Sequence, residues 1–257
     1  MPPYLEKMNT ALVETFSDSL VIIPTYNEIE NIESIIRVTL LQAHHFDVLI
    51  VDDNSPDGTA QRVKQLQQEF PDRLFLAERT EKTGLGTAYI HGFLWGLESD
   101  KKYKFFFEMD ADFSHNPSDL LRLYQECKDN GADVAIGSRY IRGVNVVNWP
   151  LRRVLLSYGA SFYVRMITGM EVKDPTAGFI CYRREVLEKI DFNKIKFVGY
   201  AFQIEMKYKA YIHHFRISEV SIIFTDRTRG KSKMNASIIK EAVLGVLVMR
   251  VRHLFGR

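Results

Sequence analysis

The sequence predicts an α/β fold, a mostly parallel sheet with helices on both faces. Three observations predict it. Short apolar runs alternate with helix-spaced stretches from about residue 20 to residue 137, the order of elements that builds parallel sheets. The runs are apolar throughout rather than alternating, as in strands covered on both faces. Three of them are followed by acidic residues, namely Glu28, Asp52 with Asp53, and Asp110 with Asp112. Strand–helix alternation places all three groups along one edge of the sheet, where open α/β sheets collect ligands.

Leu20-Val21-Ile22-Ile23, stopped by Pro24, reads as the first strand. The turn Thr25-Tyr26-Asn27-Glu28 leads into a helix over 29–41, spaced by Ile32, Ile35, Ile36 and Leu40. Residues 47–51 form a second strand that closes on the turn formers Asp52 to Thr59. A polar helix over 59–70 and a short strand over 74–77 follow, and Gly84-Leu85-Gly86 opens a helix to about Leu97. Phe105-Phe106-Phe107 begins a fourth strand ending near Met109, 117–128 is a helix and 132–137 a fifth strand. Beyond residue 140 the alternation lapses. Residues 147–170 are helix-like with Arg152, Arg153 and Arg165 interspersed, and 174–179 is a loop leading into Ile180-Cys181-Tyr182. Helices over 185–190 and 202–214, a late strand over 217–224 and a basic loop over 226–233 complete the pattern. No repeat or low-complexity linker divides the chain. The expected organisation is a flexible or loosely docked arm over 1–19, one domain over 20–235 and an amphipathic C-terminal helix over 236–257.

Composition narrows the function classes. A net charge of +2 gives no global field for nucleic acid, so no nucleic-acid partner is expected. Cys127 and Cys181 stand far apart, without metal-ligand spacing, and fit free thiols in a reducing compartment. Residues 1–19 lack the apolar core of a secretory leader. The most apolar stretch, 236–255, is interrupted by Lys240 and Glu241 and by Arg250, Arg252 and His253, so no membrane-spanning helix is expected.

Asp110-Ala111-Asp112 carries the chemistry. Two carboxylates crowded at a strand end are costly unless a cation or proton neutralises them. Hard oxygen ligands that leave room for substrate phosphates suit Mg²⁺ or Mn²⁺. A D-x-D triplet alone is also compatible with an ordinary surface turn.

The ordered set of motifs resembles the family 2 glycosyltransferases of the GT-A (Rossmann-like) fold, and within them the dolichol-phosphate or polyprenol-phosphate mannose synthases. The pieces are Pro24-Thr25-Tyr26-Asn27-Glu28, Val51 to Thr59, Gly84-Leu85-Gly86, Asp110-Ala111-Asp112, Gly137-Ser138-Arg139-Tyr140, Asp174 to Phe179, and Arg227 with Gly230, Ser232 and Lys233. They span roughly residues 20–235. The resemblance implies that Pro24, Tyr26, Glu28, Val51 and Asp53 line a nucleoside pocket and that Ala111 approaches the sugar or ribose. It implies that Asp110 and Asp112 hold the metal against a donor pyrophosphate, with Arg227 and Lys233 as a lid. Arg139, Arg153 and Ser157 are implied to hold an acceptor phosphate, with Arg139 also counted among the donor-binding and catalytic residues beside Asp110 and Asp112.

Several residues carry two open readings. Asp52 and Asp53 serve either the ligand or the turn, Gly84 and Gly86 either cradle phosphate or permit close packing, and Asp174 either touches the sugar or orients an arginine. Relatives place a glutamine where this chain has Ser114, a poor ligand, and the His115 beside it reads as a surface or packing residue.

The reaction so implied is inverting transfer of mannose from GDP-mannose to a polyprenol (dolichol-like) monophosphate. A lipid phosphate is already anionic and needs positioning rather than a strong base. The rivals are a family 2 enzyme using UDP-glucose or another nucleotide sugar, and a non-catalytic nucleotide-sugar-binding subunit. Two apolar stripes carry arginines: Leu155, Leu156, Phe162, Val164, Met166 and Ile167, and then Ile238, Ile239, Val243, Leu247, Val251, Leu254 and Phe255. They suggest peripheral attachment to the cytoplasmic face of a membrane. Core packing is their alternative, and whether an anchoring subunit joins the chain is left open.

Overall fold

A computed structural model gives the fold and describes residues 17–199, 201–226 and 236–255, with the side chains of 236–242, 253 and 254 outside that description. The expected arm over 1–19 therefore falls almost wholly outside the described residues. Its described end, Ser17 and Asp18, is docked: Ser17 Oγ donates to Ser19 O at 2.8 Å, and Asp18 O accepts from Lys104 N and Phe105 N.

The chain runs β1 (Ser19–Thr25), α1 (Ile32–Leu40), β2 (Phe46–Asp52), α2 (Thr59–Gln67), β3 (Leu74–Glu78), α3 (Leu85–Glu98) and β4 (Phe105–Glu108). After a one-turn 3-10 helix come α4 (Leu120–Lys128), β5 (Val134–Ser138), β6 (Val146–Val147), α5 (Leu151–Thr168), β7 (Ile180–Arg183) and α6 (Arg184–Lys189). The chain closes with α7 (Ala201–Ile212), β8 (Ile217–Ser221), β9 (Phe224–Thr225) and α8 (Ala236–Leu254). The main sheet has seven strands in the order β3-β2-β1-β4-β7-β5-β8, all parallel except β7. The order reverses between β1 and β4, which opens the ligand crevice of such sheets at their carboxyl ends.

Alternate residues of the strands feed opposite cores. Val21, Ile23, Val48, Ile50 and Phe107 pack with α1, α2 and α4, while Leu20, Ile22, Leu49, Val51 and Phe106 pack with α3, α6 and α7. A side-chain period of two on a doubly covered sheet explains why the runs read as uniformly apolar. The helix α3 approaches the sheet through glycines. A Cβ on Gly92 would lie 2.5 Å from Ile22, and one on Gly96 would lie 2.6 Å from Leu20 and Phe106. Gly84 (φ +124) and Gly86 do the same at the start of α3, against Val198 and the Phe202 ring, so close packing is the role this structure gives them.

One open segment gains an element and one expectation changes. Ile180-Cys181-Tyr182, to which the sequence assigned no element, is a strand, the one antiparallel member of the sheet. The late strand over 217–224 is two strands, β8 in the main sheet and β9 in a separate pair with β6. Both cysteines are buried and free.

A third core joins α5, α7 and α8 through Val164, Met170, Ile204, Tyr208, Val246 and Met249. The first apolar stripe accordingly divides. Val164 is buried and Ile167 packs on this core, whereas Leu155, Leu156, Phe162 and Met166 are exposed. In the second stripe Val243, Leu247, Val251 and Phe255 are exposed, and Ile238, Ile239 and Leu254 lie outside the described side chains.

Candidate active site

The turns that follow β1 and β2 are tied to each other. The backbone N–H groups of Asn27, Glu28 and Ile29 donate to Ser55 Oγ, Thr59 Oγ1 and Asp57 Oδ2, each at 3.0 Å. Asn27 and Asn54 both take left-handed backbone (φ 57), which asparagine tolerates. This lacing decides between the readings of Asp52. Its carboxylate accepts from Thr25 Oγ1 at 2.8 Å and from Ser55 N and Oγ at 2.8 and 2.6 Å, so it builds the turn. Asp53 is 6 % exposed and faces Arg79, whose Nε lies 2.7 Å from its Oδ1. Burial pushes the Asp53 carboxyl up against the opposing charge of Arg79. Arg79 also donates to Thr83 and Thr87. Sequence reasoning missed it, although its place just after β3 was a signal. Lys82 sits 4.3 Å over the Tyr26 ring, and Asn31 donates to Glu28 at 3.1 Å. Pro24 and Val51 lie side by side in the β1–β2 register. The five residues implied for the nucleoside thus lie at the neighbouring ends of β1 and β2 and in the turns that follow, with Val51 fully buried in the core.

Across the switch point, β4 delivers Asp110, Ala111 and Asp112. Ala111 and Asp112 are buried, whereas the Asp110 side chain is 39 % exposed. Ser114 clasps Asp112, its N and Oγ lying 3.0 and 2.6 Å from Oδ1. The turn between them puts Phe113 at φ 61, a strained setting for a bulky residue and one that clusters at functional sites. His115 is buried and stacks on Phe179 at 4.9 Å, and its Nδ1 accepts from Asp110 N at 3.3 Å. Burial drives its pKa down to about 4, so the ring is neutral packing. Tyr89 OH stands 3.5 Å from Asp110 Oδ1. The paired hard carboxylates fit a divalent cation that keeps coordination places for phosphate oxygens. Among the described residues no group of three or more His, Cys, Asp or Glu side chains is arranged to hold a metal ion.

The third group gathers beyond β5. Arg139 is buried in a bidentate pair with Asp174, Nε to Oδ2 at 2.7 Å and an Nη to Oδ1 at 2.6 Å, and it also donates to Thr176. Asp174 therefore orients an arginine. Burial alone would raise its pKa, but Arg139 outweighs that and holds the carboxyl below the usual range. Arg153 donates to Asp226 at 2.8 Å, and Ser157 Oγ accepts from Tyr140 OH at 2.7 Å. The β6–β9 pair brings Asp226 and Phe224 to this corner, and Thr225 N bonds Ser114 O at 3.3 Å, linking it to the carboxylate loop. Arg139, Arg153 and Ser157 thus share one neighbourhood. Trp149 and Asp226, also part of it, were not singled out from the sequence, because nothing in their spacing marks them, and Thr176 entered only as a member of the Asp174 to Phe179 motif. The implied lid residues Arg227 and Lys233 lie outside the described residues.

The fold is that of solved glycosyltransferases. Glucosyl-3-phosphoglycerate synthase from Mycobacterium tuberculosis, in complex with Mn²⁺, UDP and glucosyl-3-phosphoglycerate, is similar at TM-score 0.66 and 18 % identity, over 90 % of this chain and 79 % of that one. A mannosyltransferase from Pyrobaculum calidifontis in complex with GDP-Man and Mn²⁺ matches at TM-score 0.60 and 17 % identity, over 95 % of this chain and 66 % of that one. Architecture and the acidic crevice together define a GT-A type glycosyltransferase. The chain belongs to glycosyl transferase family 2, whose family model matches residues 20–191. It is 46 % identical to the polyprenol monophosphomannose synthase of Mycolicibacterium smegmatis, over 96 % of this chain and 92 % of that protein. It is 43 % identical to the undecaprenyl-phosphate mannosyltransferase of Micrococcus luteus, over 88 % of this chain and 91 % of that protein. It is also 37 % identical to the dolichol-phosphate mannosyltransferase of Pyrococcus furiosus, over 86 % of this chain and 60 % of that protein.

Proposed function

We propose that this glycosyltransferase moves mannose from GDP-mannose to a polyprenyl monophosphate, with inversion at the anomeric carbon. The observation that carries the reading is the convergence of two opposite charge sets on one crevice. The Asp110/Asp112 carboxylates end β4, and Arg139 and Arg153 stand beyond β5, beside the β6–β9 pair bonded to Ser114. The names of the relatives at 37–46 % identity support the same acceptor and sugar.

The crevice formed by Pro24, Tyr26, Glu28, Val51 and Asp53 takes the nucleoside. A carboxylate there accepts from base N–H groups or ribose hydroxyls. Asp110 and Asp112 bind Mg²⁺ or Mn²⁺, which when bound offsets the charge building on the departing nucleoside diphosphate. Ala111, small and buried, lets the backbone approach the sugar or ribose, and Arg227 and Lys233 cover the pyrophosphate. Arg139, Arg153 and Ser157 place the acceptor phosphate so that one of its oxygens attacks the anomeric carbon as the donor phosphate leaves. The acceptor is already an anion, so no side-chain base takes part. The exposed apolar residues of α5 and α8 rest on the cytoplasmic face of a membrane, from which the lipid enters. Among the described residues no helix is long and apolar enough to cross a membrane.

Purified protein incubated with radiolabelled GDP-mannose or UDP-glucose, a short polyprenyl phosphate and Mn²⁺ tests this. Mannosyl-lipid from the first donor only is expected. Glucosyl-lipid would move the assignment to another nucleotide sugar, and no lipid product from either donor would overturn it.

A further inference from the structure

We infer that Trp149 is a positioning residue for the acceptor phosphate, acting as a shared π-platform for the two arginines that meet it. The inference rests on the acceptor reading above and extends it to a residue which that reading does not use. Trp149 lies in the short link between β6 and α5, just before Pro150. The Arg153 guanidinium carbon lies 4.0 Å from the centre of its ring, and that of Arg139 lies 5.6 Å away. Both are inside the roughly 6 Å range of cation–π attraction, and Trp is the strongest partner for it. The indole N–H is closed to solvent and has no hydrogen-bond partner among the described residues. What the ring offers the two arginines is its face. Phe224 on β9 packs edge-on against the ring at 5.3 Å and 70°, which fixes its tilt.

The two arginines depend on the ring unequally. Arg139 is already locked by Asp174 and also lies near the rings of Tyr140 and Phe224. Arg153 is partly exposed, its side chain 35 % accessible, and among the described residues its one ion pair is to Asp226. A long side chain with one ionic tether keeps much of its rotamer freedom, and the stacked face removes it. Trp149 therefore presets Arg153 toward the phosphate, and its loss falls on acceptor binding rather than donor binding.

The test compares Trp149→Phe with Trp149→Leu in the full chain, using GDP-mannose and polyprenyl phosphate in detergent, with thermal melting as a check on folding. Trp149→Leu is expected to raise the acceptor KM roughly tenfold with the donor KM within about twofold of wild type, and Trp149→Phe to recover most of the loss because a ring face remains. On the Arg153→Ala background, Trp149→Leu is expected to add little, since its effect passes through that arginine. If Trp149→Leu does not fold, Trp149→Met, which is longer and adapts better to an irregular gap, takes its place in the same comparison. An unchanged acceptor KM in the face-less variant overturns the inference, as does a parallel loss of kcat and both KM values that Phe does not repair. A wild-type enzyme inactive toward polyprenyl phosphate instead removes the acceptor reading itself, so the two failures are told apart.

Discussion

Single side chains set the electrostatics of the crevice, and two substitutions test them. Asp112→Ala leaves the paired carboxylates incomplete. Turnover is expected to fall at least about a hundredfold, and added Mn²⁺ is not expected to restore it, as measured by transfer to lipid across a metal titration. Turnover that survives in chelator-treated protein would remove the metal from the account. Asp174→Ala strands Arg139, a buried guanidinium, and breaking such a pair costs on the order of 3–5 kcal/mol. The expected outcome is a lowered melting temperature together with weakened acceptor affinity. Asp53 and Asp52 show what sequence can and cannot assign at this scale. Adjacent and chemically identical, they point to different partners, Asp52 into the turn at Ser55 and Asp53 to Arg79. Only the path of the backbone after β2 separates them.

Elements divide the work of stability and chemistry between the two ends of the sheet. At the end opposite the crevice, Asp18 precedes β1 and accepts from Ser19 and Tyr124, with His44 beside it at 3.2 Å. Burial alone would raise its pKa, but these partners bring it down to about 2. A carboxyl held below its unfolded value contributes stability that is present above about pH 4 and is lost as pH falls toward 2. In Asp18→Asn that acid-side slope is expected to flatten, by roughly 2 kcal/mol or less after allowance for partial exposure. Chemical denaturation between pH 2 and pH 7 measures it, with activity at neutral pH preserved. On α3, Gly92→Val forces a side chain into the space of Ile22, where overpacking costs about 1–3 kcal/mol. Gly159→Ala on α5 meets nothing within 4 Å and is expected to be neutral or slightly stabilising. Thermal melts of the pair distinguish close helix–sheet packing from a general intolerance of glycine replacement. The strands β1 to β5 were legible because buried parallel strands must be apolar throughout. The antiparallel direction of β7 was not, because it depends on a long excursion of the chain through α5.

At the scale of the whole molecule, α5, α7 and α8 share a core of their own and leave Leu155, Leu156, Phe162 and Met166 on one outer helix and Val243, Leu247, Val251 and Phe255 on the other exposed. Exposed apolar area flanked by arginines is the signature of an interfacial surface. Leu155→Glu combined with Phe162→Glu is expected to abolish co-sedimentation with anionic vesicles. Transfer to long-chain polyprenyl phosphate in those vesicles is expected to drop at least about tenfold, while transfer to a water-soluble short-chain acceptor is retained. Vesicle binding that survives the double substitution would assign this face to packing against protein instead. By itself the sequence determined the alternating sheet, the acidic edge and the family, since those follow from local periodicity and from short ordered motifs that a linear reading preserves. Tertiary structure alone decided which carboxylate faces an arginine, which part of the first apolar stripe is buried, and that β6 and β9 pair to set Trp149, Phe224 and Asp226 around Arg139 and Arg153. Those contacts join residues up to about 80 positions apart, and no local propensity records a partner that the chain meets only after it has folded.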